Sequence, residues 1–256
     1  MVNAKLYSGD CLEIMEQLPD KSIDMILCDL PYGTTACSWD SIIPLNLLWK
    51  QYERIIKSKS AIVLFANEPF ATQLRSSKLE YYRYDWIWNK AHCSNFQLMN
   101  FQPGRQHELV CVFSKAKSCY TSNDNSMCYY PQKTLRDAPS RNGGGLNTCK
   151  MLNGNNMIKI DKVYNDRHPT SILDFKPIPA TQRLHPTQKP VEIIEYLIKT
   201  YTKEGETVLD NCMGSGSTGV ACKNLNRNFI GIELDENYFK IAKERIEKHN
   251  VSKKLF

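Results

Sequence analysis

The chain has 256 residues, with 33 Lys and Arg against 27 Asp and Glu, for a formal net charge of +6. Forty-two per cent apolar and 23% charged residues make a globular composition, and no run approaches the roughly 18 uncharged apolar residues of a membrane span. The start, Met1-Val2-Asn3-Ala4-Lys5, has no apolar stretch behind it of signal-peptide length, so a soluble, cytoplasmic protein is expected. The surplus of positive charge permits a polyanionic partner without requiring one.

The first third reads as alternating strands and helices. Residues 22–28 form a short apolar run ending at Asp29, the pattern of a buried parallel strand. Leu47, Leu48, Tyr52, Ile55 and Ile56 recur at helical spacing over 46–57. Residues 61–66 are a second buried strand, and Pro69 stands near the start of a helix running to about residue 78. Residues 84–89 and 107–113 read as two more strands. Residues 116–182 differ in character. They hold nine Lys/Arg and five Asp, so +4 of the net charge comes from 67 residues, along with eight Asn and the Gly143-Gly144-Gly145 run. No long apolar period runs through them, which predicts an inserted, loop-rich module. Strand and helix order then returns: a helix opened by Pro190, a strand at 207–210, a helix from about 217, a strand at 228–233 and a charged helix over 236–248.

Ten cysteines would suggest disulfides in a secreted chain. No two are spaced Cys-x-x-Cys, no histidine pairs with them at ligand spacing, and several sit in apolar runs. Reduced packing residues are expected, and no metal site.

Two motifs carry chemistry. In Val208-Leu209-Asp210-Asn211-Cys212-Met213-Gly214-Ser215-Gly216-Ser217-Thr218 an apolar strand runs into glycines that open a helix, where backbone approaches a ligand closely and free N–H groups point outward. About 20 residues on, Gly231-Ile232-Glu233 ends the next strand with an acid placed for a ribose diol. Together they predict a nucleoside-containing cofactor across two strand ends. No Gly-Lys-Ser/Thr follows, which excludes a P-loop. The second motif, Asp29-Leu30-Pro31-Tyr32-Gly33, aims an acid, backbone carbonyls and an aromatic face at one point, the parts that hold a planar amine.

Asp29-Leu30-Pro31-Tyr32 resembles the Asp-Pro-Pro-Tyr motif of amino-methylating DNA methyltransferases. Residues 210–218 resemble their S-adenosylmethionine loop, and His185-Pro186-Thr187-Gln188-Lys189-Pro190 resembles the His-Pro-Thr-x-Lys-Pro segment before it. The order, with the catalytic motif ahead of a variable insert and the cofactor motif last, is similar to the permuted β group of that family. Two departures are Leu30 in place of proline, at a position contributing a backbone carbonyl, and Asn211-Cys212-Met213 in place of a Pro-Phe-like stretch. The resemblance implies a Rossmann-like α/β fold with a mostly parallel, seven-stranded type sheet. Residues 1–115 and 183–256 would be two halves of one methyltransferase domain, with 116–182 as a target-recognition insert.

Residue roles follow position by position from the resemblance. Asp29, Leu30, Pro31 and Tyr32 are the implied catalytic residues. Asp210, Gly214, Ser215 and Gly216 would hold the methionine part of S-adenosylmethionine, with Thr187 and Lys189 on its carboxylate. Glu233 would take the ribose, Asp10 would approach the adenine, and Asp29 also borders the cofactor. Trp39-Asp40 resembles a further family feature. Arg136, Arg141 and Arg167 in the insert, with Arg105 and Lys90 in polar loops, are candidate contacts to double-stranded DNA. The implied activity is methylation of adenine N6 in a flipped base, by direct transfer without a cysteine nucleophile. Cytosine N4 methylation, a non-catalytic DNA-binding relative and an RNA or protein-amide enzyme are the alternatives. The intact Asp29, Tyr32, Gly214, Gly216 and Glu233 argue against the non-catalytic relative, and Asp29 with the motif order against the RNA or protein-amide enzyme. A homodimer and a cognate restriction endonuclease are partners such enzymes have, and the implied source is a bacterium or its phage.

Overall fold

The computed structural model describes residues 3–33, 41–93, 95–119, 125–141 and 163–249. Trp39, Asp40 and the side chain of Arg141 lie outside the described set. Two compact units emerge, Met1–Tyr130 with Ser171–Phe256, and Pro131–Thr170.

The larger unit is built on an eight-stranded sheet. In chain order its elements are β1 (Ala4–Ser8), α1 (Cys11–Glu16), β2 (Ile23–Asp29), α2 (Leu45–Ile55), β3 (Ile56–Ala66), α3 (Phe70–Ser77), β4 (Tyr82–Asn89) and β5 (His107–Phe113). The smaller unit contributes β6 (Thr134–Arg141) and β7 (Val163–Arg167); the larger unit resumes with β8 (Ile172–Asp174), α4 (Val191–Tyr201), β9 (Thr207–Asp210), α5 (Ser217–Asn224), β10 (Asn228–Glu233) and α6 (Glu236–Lys248). Strand order is β1-β10-β9-β2-β3-β5-β4-β8. The pairings β1/β10, β10/β9, β9/β2, β2/β3 and β4/β8 are parallel, while β5 runs antiparallel to both neighbours.

The central strand shows why the sequence adopts this layering. Successive side chains of β2 point to opposite faces. Met25 and Leu27 pack with Ile193, Ile194, Leu197 and Ile198 of α4 on one face. Ile26 and Cys28 pack with Leu48, Tyr52 and Ile55 of α2 on the other. A strand buried on both faces must be apolar throughout, which is what its short continuous run reported. Each such large apolar side chain stabilises the fold by about 1.5–3 kcal/mol. The one acid inside the run, Asp24, pairs with Lys57 at 2.5 Å and accepts from the Thr207 amide at 3.0 Å.

The helices segregate with these faces, α4, α5 and α6 on one and α1, α2 and α3 on the other. The chain therefore leaves β9 toward one face and β2 toward the other. Between two adjacent parallel strands this divergence opens a crevice at their carboxyl ends, the place where open α/β sheets bind ligands.

Most of the expected elements are present. The sheet adds a strand to the seven-stranded type, through the three-residue β8. β1 and α1 were not expected, and β3 begins at Ile56, directly after α2. Ala116 and Met127 are buried in the larger unit's core, so the compact inserted unit is narrower than 116–182. Within it, β6 and β7 form an antiparallel pair whose register shifts between Leu135 and Ser140. No helix among the described residues is long and apolar enough to cross a membrane.

Candidate active site and cofactor cavity

A cavity of about 330 Å³ opens at this crevice. Its walls come from the segment after β1 (Gly9 to Leu12), the end of β2 and its turn (Leu27 to Tyr32), Ser41 to Pro44, the His185–Lys189 segment, the loop after β9 (Asp210 to Thr218) and Glu233 with Leu234 after β10. Every expected catalytic and cofactor residue except Gly216 lines it, and Gly216 is the N-cap of α5 within the same loop.

The cofactor end is held mainly by backbone. Gly214 and Gly216 both have positive φ, +50° and +77°, which glycine adopts without strain. A Cβ on Gly216 would lie 2.9 Å from Ile246 Cδ1 and 3.1 Å from Ala242 Cβ, so this glycine also lets α6 pack against the loop. The Glu233 carboxylate accepts from the Gly214 amide at 2.7 Å and the Asp235 amide at 2.9 Å. Two backbone donors thus fix the acid at the strand end, and burial pushes its pKa up. Asp210 accepts from Thr218 Oγ1 at 2.6 Å and the Cys212 amide at 3.2 Å; burial still raises its pKa to about 7. Asp10 caps α1 by accepting from the Leu12 and Glu13 amides. His185 meets the Tyr238 ring edge-on, with centroids 4.2 Å apart, and lies 3.6 Å from where a Cβ on Gly214 would sit. Burial and the nearby Lys189 lower its pKa to about 4, and its Nδ1 meets Thr187 Oγ1 at 3.1 Å.

The donor set fits S-adenosylmethionine. An acid fixed at the end of β10 suits two vicinal hydroxyls, a glycine loop beneath a helix N-terminus suits a carboxylate-bearing chain, and buried acids suit a ligand carrying a sulfonium.

The end of the cavity lined by Asp29 and Tyr32 is a charge network. Asp29 Oδ1 accepts from the Tyr32 hydroxyl at 2.6 Å, and Asp29 Oδ2 pairs with the Lys189 ammonium at 2.5 Å. The same ammonium lies 3.0 Å from Glu108 Oε1 and 5.0 Å from the ring centre of Phe65. Glu108 also accepts from the Tyr32 hydroxyl at 3.1 Å and pairs with Lys90. Two carboxylates and two lysines sum to zero charge at the edge of the cavity. Burial raises the Asp29 pKa and outweighs Lys189, and the neighbouring Glu108 pushes the same way. For Glu108 burial also acts upward, but Lys189 and Lys90 prevail and hold its pKa below the usual value. Burial pulls the Lys189 pKa down, yet Asp29 and Glu108 overcome it and hold it up at about 12. The Tyr32 ring stacks on Phe70 at 5.2 Å, and burial beside two acids keeps its hydroxyl protonated.

Lys189, expected on the methionine carboxylate, thus places its ammonium on Asp29 and Glu108. Glu108 itself was not expected. Its signal is an acid inside the apolar run of β5, and its partner Tyr32 is 76 positions away in the chain.

Beneath the cavity three thiols cluster. The Asn211 amide nitrogen lies 3.7 Å from Cys11 Sγ and 3.5 Å from Cys212 Sγ, while Asn211 Oδ1 accepts from the Tyr52 hydroxyl at 2.5 Å. Cys28 joins them; burial raises its pKa to about 12.

The expected DNA contacts divide between the two units. Arg105 belongs to the larger unit, and its amide donates to Asn95 Oδ1. In the smaller unit Arg136 Nε donates to the Asp166 carbonyl at 2.8 Å, and Arg167 lies 3.6 Å from an exposed Asp137. Arg141 ends β6, paired with Val163.

Comparison with known proteins agrees with this geometry. The family profile described as DNA methylase matches residues 23–244. The type II methyltransferase M1.MboII of Moraxella bovis is 27% identical over 91% of this chain and 93% of its own length. The type II methyltransferase M.HpaI of Haemophilus parainfluenzae is 25% identical over 96% of this chain and 75% of its own. Among solved structures, the M1.HpyAVI–SAM complex superposes with a TM-score of 0.61 at 25% identity, over 94% of this chain and 99% of that one. The cytosine-N4-specific PvuII DNA methyltransferase shares the fold, with a TM-score of 0.69 at 16% identity over 98% of this chain and 89% of that one. S-adenosylmethionine is the cofactor, and it supplies a methyl group already activated as a sulfonium substituent. A glycine loop facing a buried acid at a strand end, an Asp-x-Pro-Tyr turn beside them and a family match over most of the chain lead to one conclusion: the chain belongs to the N6/N4 DNA methylase family.

Proposed function

We propose that the protein methylates the N6 amine of adenine at a specific site in double-stranded DNA. The observation that carries amino-group methylation is the Asp29–Lys189–Glu108–Tyr32 network at the edge of the cofactor cavity, and Asp29 rather than serine at the head of its turn favours adenine over cytosine. An exocyclic amine is a weak nucleophile because its lone pair is delocalised into the ring. Asp29 and the Leu30 carbonyl would accept its two N–H bonds and turn that lone pair toward the cofactor. Transfer to an activated methyl needs orientation more than acid–base strength. Asp29, with its pKa raised by burial, is suited to take the proton that leaves the amine. Tyr32 would stack on the extruded base, its hydroxyl anchored on both acids. Pro31 fixes the turn that presents Asp29 and Tyr32 together.

On the cofactor side, Glu233 would bind the ribose, Asp210 with Gly214, Ser215 and Gly216 the methionine part, Thr187 its carboxylate, and Asp10 would border the adenine. Lys189 would hold Asp29. The inserted segment would read sequence through Arg136, Arg141 and Arg167, with Arg105 on a phosphate. A homodimer and a cognate restriction endonuclease are further readings of the family's type II members, and a bacterial cytoplasm suits all of them.

The test is transfer of labelled methyl from S-adenosylmethionine to duplex DNA, followed by nucleoside analysis. N6-methyladenine supports the reading. N4-methylcytosine replaces it with the cytosine alternative, since both amines offer the same two N–H bonds, and an absence of label in any DNA refutes it.

A further inference from the structure

The 17 residues 90–106, which join β4 to β5, contain no Asp or Glu, and carry Lys90, Arg105 and His92. Four large apolar side chains in this connection face solvent: Phe96 is 71% exposed, Leu98 49%, Met99 51% and Phe101 87%. Single exposed apolar residues need no explanation, but four within six positions do.

The connection is a built structure. Its neck is closed by the Lys90 amide on the Gln106 carbonyl at 2.9 Å, and by Asn89 Oδ1, which accepts from the Ala91 amide and Gln106 Nε2. Asn95 clamps the middle, accepting from the Arg105 amide and donating to the Pro103 carbonyl at 3.2 Å. The tip turns on bonds from the Leu98 amide to the Asn95 carbonyl and from the Phe101 amide to the Leu98 carbonyl, each 2.9 Å. A Cβ on Gly104 would lie 2.5 Å from Cys93 Sγ, so the returning strand passes tight against the outgoing one.

Its position follows from strand register. Asn89 pairs with His107, Leu109 with Ala66, and Phe65 with Asp29. The neck therefore stands at the same sheet edge as the catalytic turn. Lys90 at its base pairs with Glu108, which binds Tyr32.

We propose that Phe96 and Phe101 form an apolar wedge that enters the DNA base stack beside the target nucleotide and holds the gap left by its extrusion. The inference rests on the DNA methyl-transfer reading above. A base stack offers apolar faces flanked by phosphates, and an exposed aromatic tip on an acid-free neck complements both features. Filling the vacated space lowers the cost of keeping the target outside the helix, so the wedge acts on the flipping step and leaves cofactor binding alone.

The test first maps the methylated site by single-molecule sequencing of DNA from expressing cells. Wild type and F96A/F101A are then compared in single-turnover transfer on two duplexes containing that site, one fully paired and one with an abasic position opposite the target. Both side chains are exposed, so the variant keeps its fold and its affinity for S-adenosylmethionine. The expected result is a loss of roughly tenfold or more on the paired duplex, in the range of aromatic–base stacking. On the abasic duplex, where extrusion is already easy, the rate returns to within about threefold of wild type. A 2-aminopurine in place of the target base brightens with wild type and much less with the variant. Unchanged rates on the paired duplex overturn the wedge. So does an equal loss on both duplexes, or a loss that accompanies dissociation of a dimer, which would show that a second copy of the chain covers these side chains. A wild-type protein that methylates no DNA overturns the underlying reading together with the wedge.

Discussion

Replacing Glu108 by glutamine keeps its shape and removes its charge. In the intact protein two buried carboxylates are balanced by Lys189 and Lys90. Glu108→Gln leaves one surplus positive charge there. Removing one partner of a fully buried pair costs about 3–5 kcal/mol. Here Lys189 keeps Asp29, and Lys90, with a side chain 18% exposed, can turn toward water, so about 2 kcal/mol is the better figure. In a chain of this size that lowers the melting temperature by about 4–8 °C. The kinetic consequence has a definite sign. Glu108 is one of the groups that raise the Asp29 pKa, so its neutralisation lets Asp29 ionise at lower pH. The acid limb of the single-turnover rate profile should therefore move toward lower pH. The rate on its plateau should fall roughly tenfold, because the Tyr32 hydroxyl loses a charged acceptor. Transfer of labelled methyl, followed across pH alongside cofactor titration, measures both, and Glu108→Asp should restore the profile. An acid limb that stays in place while the melting temperature falls would refute the electrostatic argument and leave Glu108 with a packing role.

Other outcomes follow from the same geometry. Asp29→Ala should reduce methyl transfer by at least about 100-fold while cofactor binding, read by calorimetry, changes little. Retained activity would remove Asp29 from the chemistry. Glu233→Ala should weaken S-adenosylmethionine binding by about 1–3 kcal/mol, because it removes the proposed ribose acceptor and releases the amides of Gly214 and Asp235. Gly216→Ala should destabilise the protein by about 1–3 kcal/mol, seen in chemical denaturation, since its φ of +77° and the nearby Ile246 and Ala242 both oppose a side chain. Exchanging Pro131–Thr170 for the corresponding segment of a relative should change the methylated sequence and spare cofactor affinity. Methylation at an unchanged site would take sequence reading away from that unit.

The sheet's centre was legible because strands buried on both faces write themselves as short apolar runs, as in β2 and β3. β1 escaped notice because Ala4–Ser8 is an edge strand with no buried residue and no such run. α1 and β8 are six and three residues long, too short for any period to register. At the site, the glycine loop and the Asp29 turn were visible because their residues are contiguous. Glu108 and the true neighbours of Lys189 were not, since the former depends on β5 lying beside β3 and the latter spans 160 positions. Local chemistry can be read along a chain. Long-range pairing of charges appears only once the strands are ordered.

The thiols beneath the cavity acquire a different meaning from the reagent held above them. S-adenosylmethionine is a general alkylating agent, and a thiolate is the nucleophile it would meet most readily. Cys11, Cys28 and Cys212 all border its cavity. The thiol form of sulfur is far less reactive than the thiolate; hydrogen bonding to Cys212 and then burial hold the Cys11 pKa up, burial that of Cys28, and the bond to Cys28 with burial that of Cys212, so all three stay protonated. With the cofactor in that cavity as proposed, the enzyme can store an electrophile against three sulfurs without methylating itself, and the packing that makes these cysteines inert is what allows them to stand there.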